Sequence, residues 1–111
     1  MIGRSAGGAG TDLTSAVIIG HSAGDAINTN NSQGSVLIGY QAGTTQTGGV
    51  NIYIGYDAGR YSTTGTYNTA IGYEAGLAMT DNNGNTILGY QAFKTANTGE
   101  NDNTVIGYLA G

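Results

Sequence analysis

Seven times in 111 residues the chain returns to a glycine preceded by Ile or Leu. The segments are MIGRSAG, VIIGHSAG, VLIGYQAG, IYIGYDAG, TAIGYEAG, TILGYQAF and TVIGYLAG, anchored on Gly3, Gly20, Gly39, Gly55, Gly72, Gly89 and Gly107. Successive anchors are 17, 19, 16, 17, 17 and 18 residues apart, so the repeat runs through the whole chain without a linker or a second domain. Self-similarity at such a period marks architectures in which each unit buries its apolar face only against its neighbours. We therefore read residues 1–111 as one repeat domain of seven units of about 17 residues.

The columns of the alignment carry the physics. The residue before the anchor is Ile2, Ile19, Ile38, Ile54, Ile71, Leu88 or Ile106. Two residues earlier stand Val17, Val36, Ile52, Thr69, Thr86 and Thr104. Side chains alternate along a strand, so these two columns share one face of an extended segment. All but Leu88 are β-branched, which suits a strand. Three residues after every anchor comes alanine, from Ala6 to Ala110, and a small residue fixed at one place implies close approach of another backbone. The next position is glycine except at Phe93, and two glycines four apart read as corners that need positive φ or tight clearance. Between motifs lie polar stretches of varying length, such as TTQTGG (44–49) and KTANTGENDN (94–103), which read as outside turns. No 3.6-residue period survives a repeat. Each glycine in a helix would also cost about 1 kcal/mol against alanine. The expectation is an all-β fold: a parallel β-solenoid (β-roll) of about seven short coils, each with two short strands and two turns. Coils about 4.8 Å apart would build a rod of about 30 Å.

Composition narrows function. Charged residues are 9% of the chain, glycine occurs 21 times, and there is no cysteine, proline or tryptophan. So few large apolar residues cannot fill a thick core, so a thin coil, and association of several chains, are expected. The net charge of −4 and the scattered Arg4, Arg60 and Lys94 exclude a nucleic-acid partner, which requires clustered cations. No apolar run approaches the roughly 18 residues of a membrane span, so no membrane insertion is expected.

Motifs that suggest chemistry fail on inspection. GRSAG (3–7) and GHSAG (20–24) match the G-x-S-x-G nucleophile elbow. The Ser22 column, however, holds Gln41, Asp57, Glu74, Gln91 and Leu109 in other repeats, and the lone histidine, His21, is adjacent in sequence and would point away. The chain is read as a non-enzyme, with no catalytic residue, metal site or cofactor. DNNGN (81–85) reads as a turn rather than a calcium loop, lacking a downstream acid at suitable spacing. Asn30-Asn31-Ser32 is an N-glycosylation sequon without evident role. Tyr40, Tyr56, Tyr73, Tyr90 and Tyr108 follow the anchor glycine, with Arg4 and His21 in the same slot earlier. Two readings compete: a stacked structural ladder, or a stripe that binds glycan rings. Recurrence favours the ladder. Asn51, Asn68, Asn85 and Asn103 read as a hydrogen-bonded turn ladder.

The phrases NTAIGYEAG (68–76), NTILGYQAF (85–93) and NTVIGYLAG (103–111) resemble the NTAIGYQAL-type repeats of phage tail fibres and are similar to the SVAIG-type head repeats of trimeric autotransporter adhesins. The resemblance implies a homotrimer, intertwined or side by side, of chains each forming a parallel β-roll. It implies further that the two columns flanking the strand's middle residue face inward, making Ile19, Ile38, Ile54, Ile71, Leu88 and Ile106 the structural core. The intervening column (Ile18, Leu37, Tyr53, Ala70, Ile87, Val105) would then face neighbouring chains. The period of about 17 is longer than the adhesin repeat and leaves handedness open.

The function this implies is structural: a shaft or head segment of a tail fibre or adhesin, on a virion tail or cell surface, spacing a receptor-binding surface. Its partners would be copies of itself and cell-surface glycans. The chain starts and stops inside motifs without a polar cap, so a fragment of a longer fibre, or a protomer stacking head to tail into a filament, is expected. An ice-binding solenoid is a weaker alternative, because the threonines cluster in loops of uneven length.

Overall fold

The computed structural model describes residues 1–8, 15–27 and 33–111. The sequon at 30–32 lies outside the described residues. Six three-residue strands recur at the motifs: β1 (Val17–Ile19), β2 (Val36–Ile38), β3 (Ile52–Ile54), β4 (Thr69–Ile71), β5 (Thr86–Leu88) and β6 (Thr104–Ile106). They form one parallel sheet in chain order, and the register stacks the columns as aligned: Ile38 on Ile54, Ile54 on Ile71, Ile71 on Leu88. The first motif joins through a single bridge, Ile2 to Ile19. The fold is thus an all-β parallel solenoid of about five turns, against the seven coils expected, with a longest extent of 35 Å.

Three backbone devices bend each coil. The anchor glycine adopts φ near +130°, as Gly55 does at 138°, a region closed to other residues. A Cβ on Gly55 would also stand 2.2 Å from the carbonyl oxygen of Gly72 in the next coil. Two residues on, Ser22, Gln41, Asp57, Glu74, Gln91 and Leu109 all sit at φ of 50–54°, the left-handed region. The second glycine of each motif repeats that conformation, and Phe93, in the same slot, adopts it at φ 50°. Backbone hydrogen bonds carry the ladder around the corner, from Gln41 N–H to His21 O (2.9 Å) and from Gly43 N–H to Ala58 O (3.0 Å).

The opposite side of the coil has no second strand among the described residues. It is nonetheless laddered, as where Thr47 N–H donates to Thr63 O at 2.8 Å. Loops that vary in length from coil to coil break the regular spacing a strand needs.

The inward and outward columns are the reverse of those the adhesin resemblance implies. Ile18, Leu37, Tyr53, Ala70 and Ile87 are fully buried inside the coil, whereas Leu88 and Ile106, placed in the core above, are 47% and 63% exposed. Ile19, Ile38, Ile54 and Ile71 are half-buried on the same outer face. The physical reason is space. Each level of so thin a coil already holds the buried alanine of the motif (Ala23, Ala42, Ala58, Ala75, Ala92) and a side chain from the opposite side. One strand residue fits beside them, and two branched ones do not.

That interior is filled by compensation. The residue nine positions after each middle residue comes back to face the interior, pairing Ile18 with Ile27, Leu37 with Gln46, Tyr53 with Ser62 and Ala70 with Met79, all fully buried. A ring meets a serine, and an alanine meets a methionine. At the fifth level Ile87 is followed nine residues on by the small Ala96, and the buried Phe93 supplies the missing volume. Native packing density demands that each level add up to a similar volume.

An asparagine ladder runs beside these pairs, also inside the coil. Asn68 N–H donates to Asn51 Oδ1 (2.8 Å), Asn85 N–H to Asn68 Oδ1 (3.0 Å) and Asn103 N–H to Asn85 Oδ1 (2.9 Å). The amide nitrogens reach across to the far side of the coil, Asn51 Nδ2 to Gly65 O (2.8 Å) and Asn68 Nδ2 to Asn82 O (2.7 Å). Ser35 takes the slot in the second level, where its Oγ accepts from Gln46 Nε2 (2.8 Å).

Candidate functional site: an aromatic ladder and an apolar sheet face

Because the anchor glycine turns every coil identically, the residue after it lands at one place on the coil edge. His21, Tyr40, Tyr56, Tyr73, Tyr90 and Tyr108 stack there with ring centroids 5.3, 4.9, 5.1, 5.1 and 5.2 Å apart and interplanar angles of 9–18°. The tyrosines named above as glycan-stacking candidates therefore cover one another's faces. Tyr40, Tyr56, Tyr73 and Tyr90 remain 41–44% exposed, so solvent meets ring edges and hydroxyls. A sugar ring stacks on a ring face, and between successive rungs no face is free.

Two ion pairs flank the ladder among the described residues, and in the first Arg60 Nη1 lies 3.1 Å from Asp57 Oδ2. Lys94 Nζ lies 2.8 Å from Glu74 Oε2, and Gln91 Nε2 donates to the same oxygen at 2.7 Å. The Lys94 hydrogen bond, with that from Gln91, holds the Glu74 carboxyl below its usual range. The Glu74 charge in turn raises the pKa of the neighbouring Tyr73 phenol.

The second surface is the outer face of the sheet. Val17, Val36 and Ile52 stand beside Ile19, Ile38 and Ile54 over the first three strands, and Thr69, Thr86 and Thr104 stand beside Ile71, Leu88 and Ile106 over the last three. The face carries no charge, and its side chains run from half-buried in the middle strands to 63% exposed at Ile106. The loop threonines are committed elsewhere: Thr45 Oγ1 donates to Arg60 O (2.8 Å) and Thr63 Oγ1 to Thr80 O (2.7 Å).

The nucleophile-elbow residues are not brought into a catalytic arrangement. His21 stacks on Tyr40, while Ser22 sits at the left-handed corner with its N–H donating to Arg4 O at 2.8 Å. In the DNNGN segment Asn82 is buried and donates through Nδ2 to Glu100 O at 3.1 Å. Among the described residues no group of three His, Cys, Asp or Glu could hold a metal ion, and no helix is long and apolar enough to cross a membrane.

Column reading missed the inner pairs. Their signal was present as reciprocal size at a spacing of nine residues, large Tyr53 with small Ser62 and small Ala70 with large Met79.

These features define a thin parallel β-solenoid with two regular external arrays. No family model matches the chain, and no match is found among curated proteins or among solved structures.

Proposed function

We propose that this chain is a structural segment of a multi-chain extracellular or virion fibre, in which copies pack side by side through the outer face of the sheet. One observation carries the proposal: the interior is already filled, yet a charge-free double column of branched side chains runs up the outside. Six rungs about 4.8 Å apart make that strip roughly 25 Å tall. Contiguous exposed apolar patches larger than a few hundred Å² mark interaction sites. The tail-fibre resemblance points to three copies, and the continuous backbone ladder gives such a segment its stiffness.

Sedimentation equilibrium tests this. The unaltered chain should sediment as an oligomer, with trimer the expected mass. Ile38→Lys combined with Ile71→Lys should give a monomer with the same far-ultraviolet spectrum, since both side chains point away from the interior. A monomeric unaltered chain at tens of micromolar would reject the proposal.

A second reading rests on the Thr69, Thr86 and Thr104 column, a flat threonine array of three rungs that could order water as an ice-binding face does. Thermal hysteresis decides it, and a value at the buffer baseline removes it.

A further inference from the structure

The tyrosine ladder has a chemistry independent of fibre packing. We propose that it is a site of oxidative cross-linking, at which a haem peroxidase and hydrogen peroxide join tyrosines of adjacent coils into dityrosine and so stitch the solenoid along its edge.

Coupling requires two phenoxyl radicals to meet ring to ring, and in most proteins they must diffuse to do so. Here successive rings are already stacked at 4.9–5.2 Å with nearly parallel planes. The rings are 41–74% exposed, so an oxidant can reach them. Contact stacking lets an electron pass from a neighbouring ring, so a radical formed at one rung moves along the column. A second oxidation then leaves two radicals confined to one ladder. The balance is simple. Each phenol loses one electron and its hydroxyl proton, the two ortho carbons form a bond, and the ortho hydrogens return to the oxygens as the rings regain aromaticity. The peroxide takes up the two electrons and two protons and leaves as two waters. The half-exposed rings can splay about Cβ to let the ortho carbons meet.

The molecule supplies its own controls. Tyr61 and Tyr67 lie off the ladder and are 45% and 68% exposed, whereas Tyr53 is fully buried. Exposure alone would direct coupling to Tyr108 and Tyr67, 74% and 68% exposed, between chains, and not to the inner rungs of the ladder.

The experiment treats the full chain with peroxidase and limiting peroxide, reads dityrosine fluorescence and denaturing-gel mass, and maps the linked peptides. We expect linked pairs such as Tyr56–Tyr73 within chains of single-chain mass, at a yield per chain that does not change on tenfold dilution. Tyr61→Phe with Tyr67→Phe should leave that yield intact. Tyr56→Phe with Tyr90→Phe keeps every ring in the stack but leaves no two neighbouring phenols, and should lower the yield several-fold. Links confined to Tyr61 or Tyr67, a yield that falls with dilution, or full yield in the Tyr56→Phe/Tyr90→Phe chain would each overturn the proposal. A Tyr56–Tyr73 link at single-chain mass on the denaturing gel forms within one chain in a monomer and an oligomer alike, so this reading and the fibre reading stand or fall separately.

Discussion

If the interior is filled by reciprocal sizes, the third level should accept the contents of the fourth. Replacing Tyr53 by Ala and Ser62 by Met copies the Ala70–Met79 pair one coil down. Tyr53→Ala alone empties a fully buried ring and removes the 2.7 Å hydrogen bond between its hydroxyl and Ser62 Oγ. Cavity creation of this kind costs about 3–5 kcal/mol, and the stranded serine adds about 1 kcal/mol. Ser62→Met alone forces a long side chain against the ring and should cost about 1–3 kcal/mol. Without coupling, the double variant would lose roughly 5–9 kcal/mol, most or all of the stability of an ordinary domain. With compensation it is a nearly volume-conserving exchange costing about 1.5 kcal/mol, a favourable coupling of roughly 3.5 kcal/mol or more. Urea unfolding followed by circular dichroism gives the cycle directly, and the slope should be unchanged for the double variant. Additivity of the two single effects to within about 0.5 kcal/mol would refute the pairing of residues nine apart.

Three further outcomes follow from the same packing. Asn68→Ala strands the buried Asn85 N–H and the Asn82 carbonyl, and should cost about 2–5 kcal/mol in the same unfolding assay. Phe93→Gly relieves a left-handed φ worth about 1–2 kcal/mol but empties a buried ring worth about 3–5 kcal/mol, so burial wins and the melting temperature falls. Burial pushes the Tyr53 phenol from 10.0 to about 12. Its proton is held in the fold at a pH where the unfolded chain releases it, so the stability present below pH 10 is lost as pH rises towards 12. The loss is roughly 2–3 kcal/mol, and Tyr53→Phe should flatten that part of an alkaline unfolding profile.

Much of the fold was legible in the alignment because corner chemistry is local. A glycine after Ile or Leu, an invariant alanine and a second glycine specify positive-φ corners and a close approach of the next coil, and the strands fall where the columns place them. The facing of those columns was not legible in the same way. Alternation says that Ile52 and Ile54 share a face and Tyr53 takes the other, but which face lies inside depends on how much room the closed coil leaves. The resemblance to adhesin heads resolved that choice in the wrong direction. The informative signal lay in variability. An outer column need only stack on itself, so it stays uniformly branched from Ile19 to Ile71. An inner column must share a fixed volume with its partner, so it ranges from Ala70 to Tyr53 while its partner runs the other way. The tyrosine column obeys the outer rule, and its recurrence was enough to place it as a ladder.

The interior asparagines explain why a chain of near-identical segments keeps one register. Asn51 and Tyr53 lie on the same side of the extended segment, with Ile52 and Ile54 on the other. A slip of one residue would turn Asn51, Tyr53 and their counterparts outward and drive two branched residues per level into a space that holds one. It would also strand the Gly65 and Asn82 carbonyls, which accept from Asn51 and Asn68 across the coil. Each buried group left without a partner costs about 1–3 kcal/mol, and the penalty recurs at every level. Hydrophobic burial alone would discriminate weakly here, because the outer columns are as apolar as the inner one. The polar ladder is what makes the two faces unequal, so the double column of valine, isoleucine and threonine is held on the outside, where another chain can reach it.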